Sequence, residues 1–145
     1  MKELLYLKDE QIKDFIEQLF YAYRETFADS KKILEKYSLG IAHQKAIHLI
    51  EKYEKITVSG LLKKLKVTKQ SLNRVLKDLY KNKSILMKKG EIDSRQRQVL
   101  LNENGKKLSN ELFLAQKKRI YRALKNSNSE SVIKFKDVLE KIVNG

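Results

Sequence analysis

Thr68-Lys69-Gln70-Ser71-Leu72-Asn73-Arg74-Val75-Leu76-Lys77-Asp78-Leu79-Tyr80 is the stretch whose reading decides the fold. Leu72, Val75, Leu76 and Leu79 fall at i, i+3, i+4 and i+7, which is one apolar stripe of a helix. Thr68 is an N-cap residue, because its hydroxyl can accept from an orphan amide of the first turn. The opposite face carries Lys69, Gln70, Ser71, Asn73, Arg74 and Lys77, side chains that donate to phosphates and base edges. Taken alone, such a face also fits the solvated side of an ordinary surface helix. The neighbouring segments decide between the two.

Upstream, Thr57 can cap a helix to about Lys64, with Val58, Leu61, Leu62 and Leu65 on one stripe. Only Lys66-Val67-Thr68 separates it from the opening helix, and Val67 is expected to plug the corner. Two short amphipathic helices joined by so short a turn form a helix-turn-helix unit. Downstream, the period changes from 3.6 to 2. Ile85-Leu86-Met87 reads as one short strand and Arg97 to Leu101 as another, with Val99 and Leu101 on one side. Between them lies a polar, basic tip from Lys88 to Gln96. Helix, turn, helix and basic hairpin together make a wing-bearing unit, a far more specific pattern than any one part.

The charge supports that reading. The 145 residues carry a formal net charge of +14, and 26 of the 32 basic residues are lysine. A lysine-rich proteome would spread such an excess evenly. Here, Lys55 to Arg97 holds 13 Lys/Arg against 3 Asp/Glu, whereas the other 102 residues hold 19 against 15. The excess sits around the opening helix and points to a polyanionic partner.

The flanking segments are helical and apolar. Asp9 to Ala28 repeats Ile12, Phe15, Ile16, Leu19, Tyr23 and Phe27, with Asp9 as its expected cap. Its stripe fits either the core of a monomeric bundle or a contact with another subunit. A short helix, about Lys31 to Tyr37, is expected to stop at Gly40, and Ile41 to Tyr53 forms the next. Asn102 is placed to cap a long helix to about Lys125, and Ser127 with Glu130 has capping-box spacing for a last one. That last helix carries Val132, Phe135, Leu139 and Ile142 on one face. His43 and His48, five apart and without a third ligand nearby, do not suggest a metal site. With no cysteine, thiolate metal sites, disulfides and thiol-based sensing are excluded. Uninterrupted apolar runs such as Leu4 to Leu7 are far short of the roughly 20 residues of a membrane span. Acidic Glu3, Asp9 and Glu10 argue against a signal-peptide core, and a cytoplasmic protein is expected.

Asp93-Ser94-Arg95, Val99-Leu100-Leu101 and Asn102-Glu103-Asn104-Gly105 resemble the D-x-R wing and the V-x-L-T-x-x-G exit of the MarR family of winged helix-turn-helix regulators. The likeness runs without a gap from Leu39 to Leu108, and Ala42-His43 with Thr68 to Arg74 looks most similar to its PetP-type branch. It implies a mainly α fold with a small β-wing. A DNA-binding lobe would span 39–102, flanked by dimerisation helices in 1–38 and 103–145. It further implies a homodimer on double-stranded DNA. Lys69, Gln70, Ser71, Asn73 and Arg74 would face the major groove and Arg95 the minor groove. Asp93 would hold the wing tip, and Thr57 and Ser59 would meet phosphates. Thr68, Lys77, Lys88, Lys89 and Arg97 complete the expected DNA-facing set. Lys66 and Lys83 stand where relatives often have glycine, so each must accept that glycine's backbone geometry. Many relatives respond to a small effector, and Tyr23, Tyr37 and His43 are candidates to line its cleft, against the plain core role that aromatic residues at helical spacing more often have. No cofactor or metal is implied.

Two other function classes are weighed against a sequence-specific regulator. A nonspecific architectural nucleic-acid-binding protein would share the lysine excess but would not discriminate among competitor sequences. An enzyme is disfavoured, since the chain offers no glycine-rich phosphate loop, no cysteine and no well-set carboxylate pair.

Overall fold

The computed structural model describes residues 4–145, so Glu3 lies outside the described residues. After a single 3-10 turn at Leu5–Leu7, the order is α1 (Asp9–Ala28), α2 (Lys31–Lys36), α3 (Ile41–Lys52), α4 (Val58–Leu65), α5 (Lys69–Lys81), β1 (Ile85–Lys89), β2 (Arg97–Leu101), α6 (Glu103–Lys125) and α7 (Ser129–Asn144). This is the mainly helical winged helix-turn-helix architecture read from the pattern. Among the described residues no helix is long and apolar enough to cross a membrane.

The core is built around α3. Its Ala46, Ile47 and Ile50 are buried with Leu61 of α4, Leu72, Leu76 and Leu79 of α5, Ile85 and Val99 of the wing, and Leu108 and Leu112 of α6. The 3.6-residue stripes of three other helices therefore converge on one short helix. The wing strands are antiparallel, Ile85 opposite Leu101 and Lys89 opposite Arg97. A third segment joins them: the Val99 N–H donates to the Ile56 carbonyl at 2.9 Å, and Thr57 bridges Gln98. Nothing in the period of Ile56-Thr57 announced that strand contact.

Lysines close two of the helices. Lys66 (φ 53°) and Lys83 (φ 60°) both adopt the left-handed conformation expected of the glycines they replace. At the end of α5, Lys83 N–H donates to the Tyr80 carbonyl and Ser84 N–H to that of Leu79, the double bond of a Schellman closure. The wing exit locks onto this turn. Asn102 Nδ2 donates to the Lys83 carbonyl at 2.7 Å, while its Oδ1 accepts from Gly105 N–H at 2.9 Å and so caps α6. Gly105 lies directly on the Ser84 carbonyl, and a Cβ there would overlap that oxygen.

Four local expectations are corrected. Asp9 is the first helical residue, and Lys8 takes the cap position without a side-chain bond; Asp9 and Glu10 instead favour the helix N-terminus by charge. The stop of α2 is Ser38 (φ 56°), with Leu39 N–H bonded to the Leu34 carbonyl, and Gly40 starts α3. Val67 is 45% exposed rather than plugging the corner, whereas Leu61 and Leu72 on the two flanking helices are buried. Finally, α7 is capped by Asn128, whose Oδ1 accepts from Ser131 N–H at 2.7 Å. The Ser127 hydroxyl is taken by the Ala123 carbonyl and Glu130 by Lys134.

The end of α1 is tied to α6 by Asp29 and Arg119, bonded through both carboxylate oxygens at 2.6 and 3.1 Å. Gln116 Nε2 adds a bond to the Thr26 carbonyl at 3.0 Å. The guanidinium holds the Asp29 carboxyl below the ordinary carboxylate range despite its partial burial. A lowered folded-state pKa contributes stability above the unfolded value, about 3.9, and that contribution is lost as pH falls through the folded value. Asp29→Asn should therefore melt below the parent at neutral pH, with the gap closing as acid protonates the parent's carboxylate. Urea unfolding across a pH series measures it. At the wing exit, Gly105→Ala should cost about 3 kcal/mol. Lys83→Gly should instead gain about 1 kcal/mol by removing the left-handed strain.

Candidate nucleic-acid interface

Two threonine caps set the helix-turn-helix. Thr57 Oγ1 accepts from Gly60 N–H at 3.0 Å at the start of α4, and Thr68 Oγ1 accepts from Ser71 N–H at 3.1 Å at the start of α5. The Thr68 hydroxyl also donates to Ser71 Oγ at 2.8 Å, so Ser71 is partly engaged within the helix. With Leu72, Leu76 and Leu79 buried, the 100° turn per residue puts Lys69, Gln70, Asn73, Arg74 and Lys77 outside, and all are exposed.

The wing folds over one edge of α5 and leaves a groove of about 730 Å³ between them. Ser59, Lys69, Asn73 and Lys77 form its helical wall, and Arg95 and Arg97 its wing wall. Val58, Leu76 and Met87 also line it. Of the residues singled out from the sequence, these six polar side chains are brought together. Gln70 and Arg74 stand on the exposed face of α5 outside the groove, and Lys88 and Lys89 are exposed on β1. Tyr80 and Gln96, which also line the groove, were not anticipated. Tyr80 had a signal: it follows Asn73 and Lys77 at helical spacing, i, i+4 and i+7.

The charge on this surface is unevenly compensated. At the wing tip, Asp93 accepts from the Arg95 backbone N–H at 3.0 Å and from its Nε and Nη2 at 3.2 Å. The guanidinium first, and the backbone N–H second, hold the Asp93 carboxyl below its ordinary value. Glu91 is bonded by Lys55 at 2.9 Å, which lowers the carboxyl and raises the amine. By contrast, Lys63, Lys64, Lys66, Lys69, Arg74 and Lys77 pair with no carboxylate among the described residues. The wing acids are thus spent on bracing the tip, and the helix-turn-helix cations stay available to an outside anion.

His43 is a positioning group rather than a pocket wall. Its Nδ1 accepts from Gly40 N–H at 2.9 Å and its Nε2 lies 2.9 Å from Asp78 Oδ2, joining the start of α3 to the back of α5. A separate cavity of about 440 Å³ lies among α1, α3 and α6, lined by Phe27, Gln44, Lys45, His48, Phe113 and Gln116 among others. Tyr23, Tyr37 and His43, the candidates for such a cleft, do not line it. Tyr23 is stacked on Phe27 with Lys45 over its ring, and the Tyr37 hydroxyl donates to Glu111 at 3.3 Å.

The fold and this groove define a winged helix-turn-helix protein. No protein-family model matches the chain. A curated relative, the HTH-type transcriptional regulator PetP of Rhodobacter capsulatus, is 42% identical over 137 residues, 94% of this chain and 82% of the relative. Among solved structures, Streptococcus pneumoniae FabT in complex with DNA superposes with a TM-score of 0.75 at 18% identity, covering 92% of this chain and 95% of that one. Staphylococcus aureus MarR in complex with salicylate and kanamycin gives 0.75 at 20%, covering 92% and 91%. The chain belongs to the MarR family of winged helix-turn-helix transcriptional regulators, a family of regulators and not of enzymes. Its likeness to the PetP-type branch is carried by the first of these relatives.

If Asp93 alone orders the Arg95 side chain, Asp93→Ala should free it without unfolding the protein. The Arg95 Nε–H signal in an NMR exchange experiment should then exchange with water several times faster, at an unchanged unfolding midpoint.

Proposed function

We propose that this chain is a sequence-specific DNA-binding regulator of the cytoplasm that grips a pseudo-palindromic operator as a homodimer. The observation that carries the reading is the groove between α5 and the wing, in which uncompensated Lys69 and Lys77 flank Asn73 and face Arg95 and Arg97. In it, α5 enters the major groove, where Asn73 and Gln70 suit adenine and Arg74 suits guanine. Arg95 reaches the minor groove from a wing tip held by Asp93. Thr57 and Thr68 cap the two helices with amides near the phosphates, and Ser59, Ser71, Lys88 and Lys89 add backbone contacts.

The dimer is supported by apolar surface that one chain leaves open. No residue of α1 or α7 is buried, and Phe15, Ile16 and Phe20 of α1 are exposed together with Phe135, Val138 and Ile142 of α7. The terminal segments, up to residue 38 and from 103 onward, would join the subunits and leave 39–102 as the DNA-binding lobe. Apolar faces of this length on both ends of a chain are what an obligate dimer covers. Two copies of α5 would then lie in successive major grooves, with half-site centres about 10–10.5 bp apart.

The cavity among α1, α3 and α6 would take a small effector. Apolar Phe27, Leu112 and Phe113 with Lys45, Lys52 and His48 suit an aromatic or amphipathic anion. S. aureus MarR, solved with salicylate and kanamycin, is a relative that holds small molecules.

Arg95→Ala and Asn73→Ala should each remove most operator affinity or discrimination, about 1–3 kcal/mol per specific contact, while the dimer stays folded. Mobility shifts on genomic duplexes recovered with the protein check this against scrambled competitor. Undiminished specific binding by both variants would sink the assignment. Equal displacement of the parent by every competitor would instead favour a nonspecific architectural protein.

A further inference from the structure

The wing tip is a tightly braced turn. Gly90 N–H donates to the Gln96 carbonyl at 2.7 Å, and Gln96 N–H to the Asp93 carbonyl at 3.0 Å. A Cβ on Gly90 would come to 2.6 Å from the Asp93 carbonyl, so the turn closes this tightly only with glycine there. Lys55, reaching in from the α3–α4 loop, holds Glu91, and Arg95 holds Asp93. The one residue between these two anchored carboxylates is Ile92. It is 104% exposed, the highest value of any large apolar side chain among the described residues. Ile92 therefore buries no apolar surface within its own chain, yet it is presented on a turn held from both sides.

A lone exposed isoleucine on a floppy loop would need no explanation. This one is rigidly mounted, β-branched and so poor in rotamers, and it loses little freedom on being covered. It stands three residues from Arg95, its adjacent carboxylates Glu91 and Asp93 are each paired with a cation, and Lys88, Lys89 and Arg97 leave the hairpin with a net positive charge. That cationic setting selects a polyanion as the surface that covers it, rather than an apolar protein face. Isoleucine is also among the side chains that wedge against base steps in the minor groove.

We propose that Ile92 is a minor-groove contact that packs its apolar side chain against sugars and base edges beside the Arg95 guanidinium, and that it adds affinity without adding charge. The inference rests on the DNA-binding reading above and deepens it. Arginine supplies a salt-dependent contact at the tip, and isoleucine a salt-independent one. The guanine amino group projects from the minor-groove floor, so the isoleucine also favours A·T pairs beneath the tip.

The test uses duplexes enriched from a random-sequence pool by the full-length protein. Their affinity for the parent, Ile92→Ala, Ile92→Ser, Ile92→Leu and Arg95→Ala is measured across a salt series. Ile92→Ala and Ile92→Ser should bind about tenfold more weakly, with the slope of log K against log salt unchanged. Ile92→Leu should stay within about twofold of the parent, whereas Arg95→Ala should reduce the slope by about one. Unfolding midpoints should not move, because Ile92 is fully exposed. Alanine and serine variants that bind within about twofold of the parent overturn the inference, as does a loss of affinity accompanied by a fall in midpoint. In that case a normal effect of Arg95→Ala leaves the DNA-binding reading intact. A pool that the parent does not enrich overturns both.

Discussion

The burial of Ala46, Ile47 and Ile50 on α3 is the constraint on which the other elements depend. This helix of twelve residues lies against α2, α4, α5, α6 and β2. Its neighbours turn their apolar stripes toward it, and their directions are set by how those stripes meet it. Removing water from that shared surface is the dominant favourable term, and packing at near-crystal density makes the resulting angles stiff. His43, on the same helix, adds a directional tie from the start of α3 to Asp78 on α5. A change in the pose of α3 would therefore be felt by the polar face of α5.

A second joint lies where α5 ends. Lys83 in the left-handed region, the Asn102 side chain and the close approach of Gly105 to Ser84 bind the end of one helix to the wing exit and the start of the next. The base of the wing is thus fixed to the helix it accompanies, while Lys55 and Glu91 steady its tip. Both walls of the groove belong to one rigid unit. A preorganised groove loses less entropy when it closes on a ligand than one assembled on binding.

Charge is divided between these tasks by position. Carboxylates Glu91 and Asp93 each sit beside a cation of the wing or its supporting loop, while Lys63, Lys64, Lys66, Lys69 and Lys77 of the helix-turn-helix pair with no carboxylate among the described residues. Exposed pairs of this kind contribute little to stability and are weakened by salt. Their use is geometric, because they aim side chains that would otherwise wander. The unpaired lysines carry the opposite character, an attraction that reaches several ångströms into solvent and is insensitive to sequence.

Much of this was legible in the amino-acid sequence, because helix period, strand alternation and cap chemistry are local. The stripe of α5, the caps Thr57, Thr68 and Asn102, the wing strands and the left-handed lysines all follow from residues within a few positions of one another. The exposed polar face of α5 was legible for the same reason. What only the tertiary structure decided depends on chain segments that meet from afar. Examples are the Ile56–Val99 strand contact, the His43–Asp78 tie, the entry of Tyr80 into the groove, and the placing of Phe27 and Gln44 rather than Tyr23 and Tyr37 at the inner cavity. Competing caps were also settled there, since Ser38 and Asn128 won over Gly40 and Ser127 through hydrogen bonds available only in the folded turn. Periodicity states which face of an element is apolar. Only packing states what that face meets, because the meeting is fixed by the joint burial of surfaces that the sequence holds far apart.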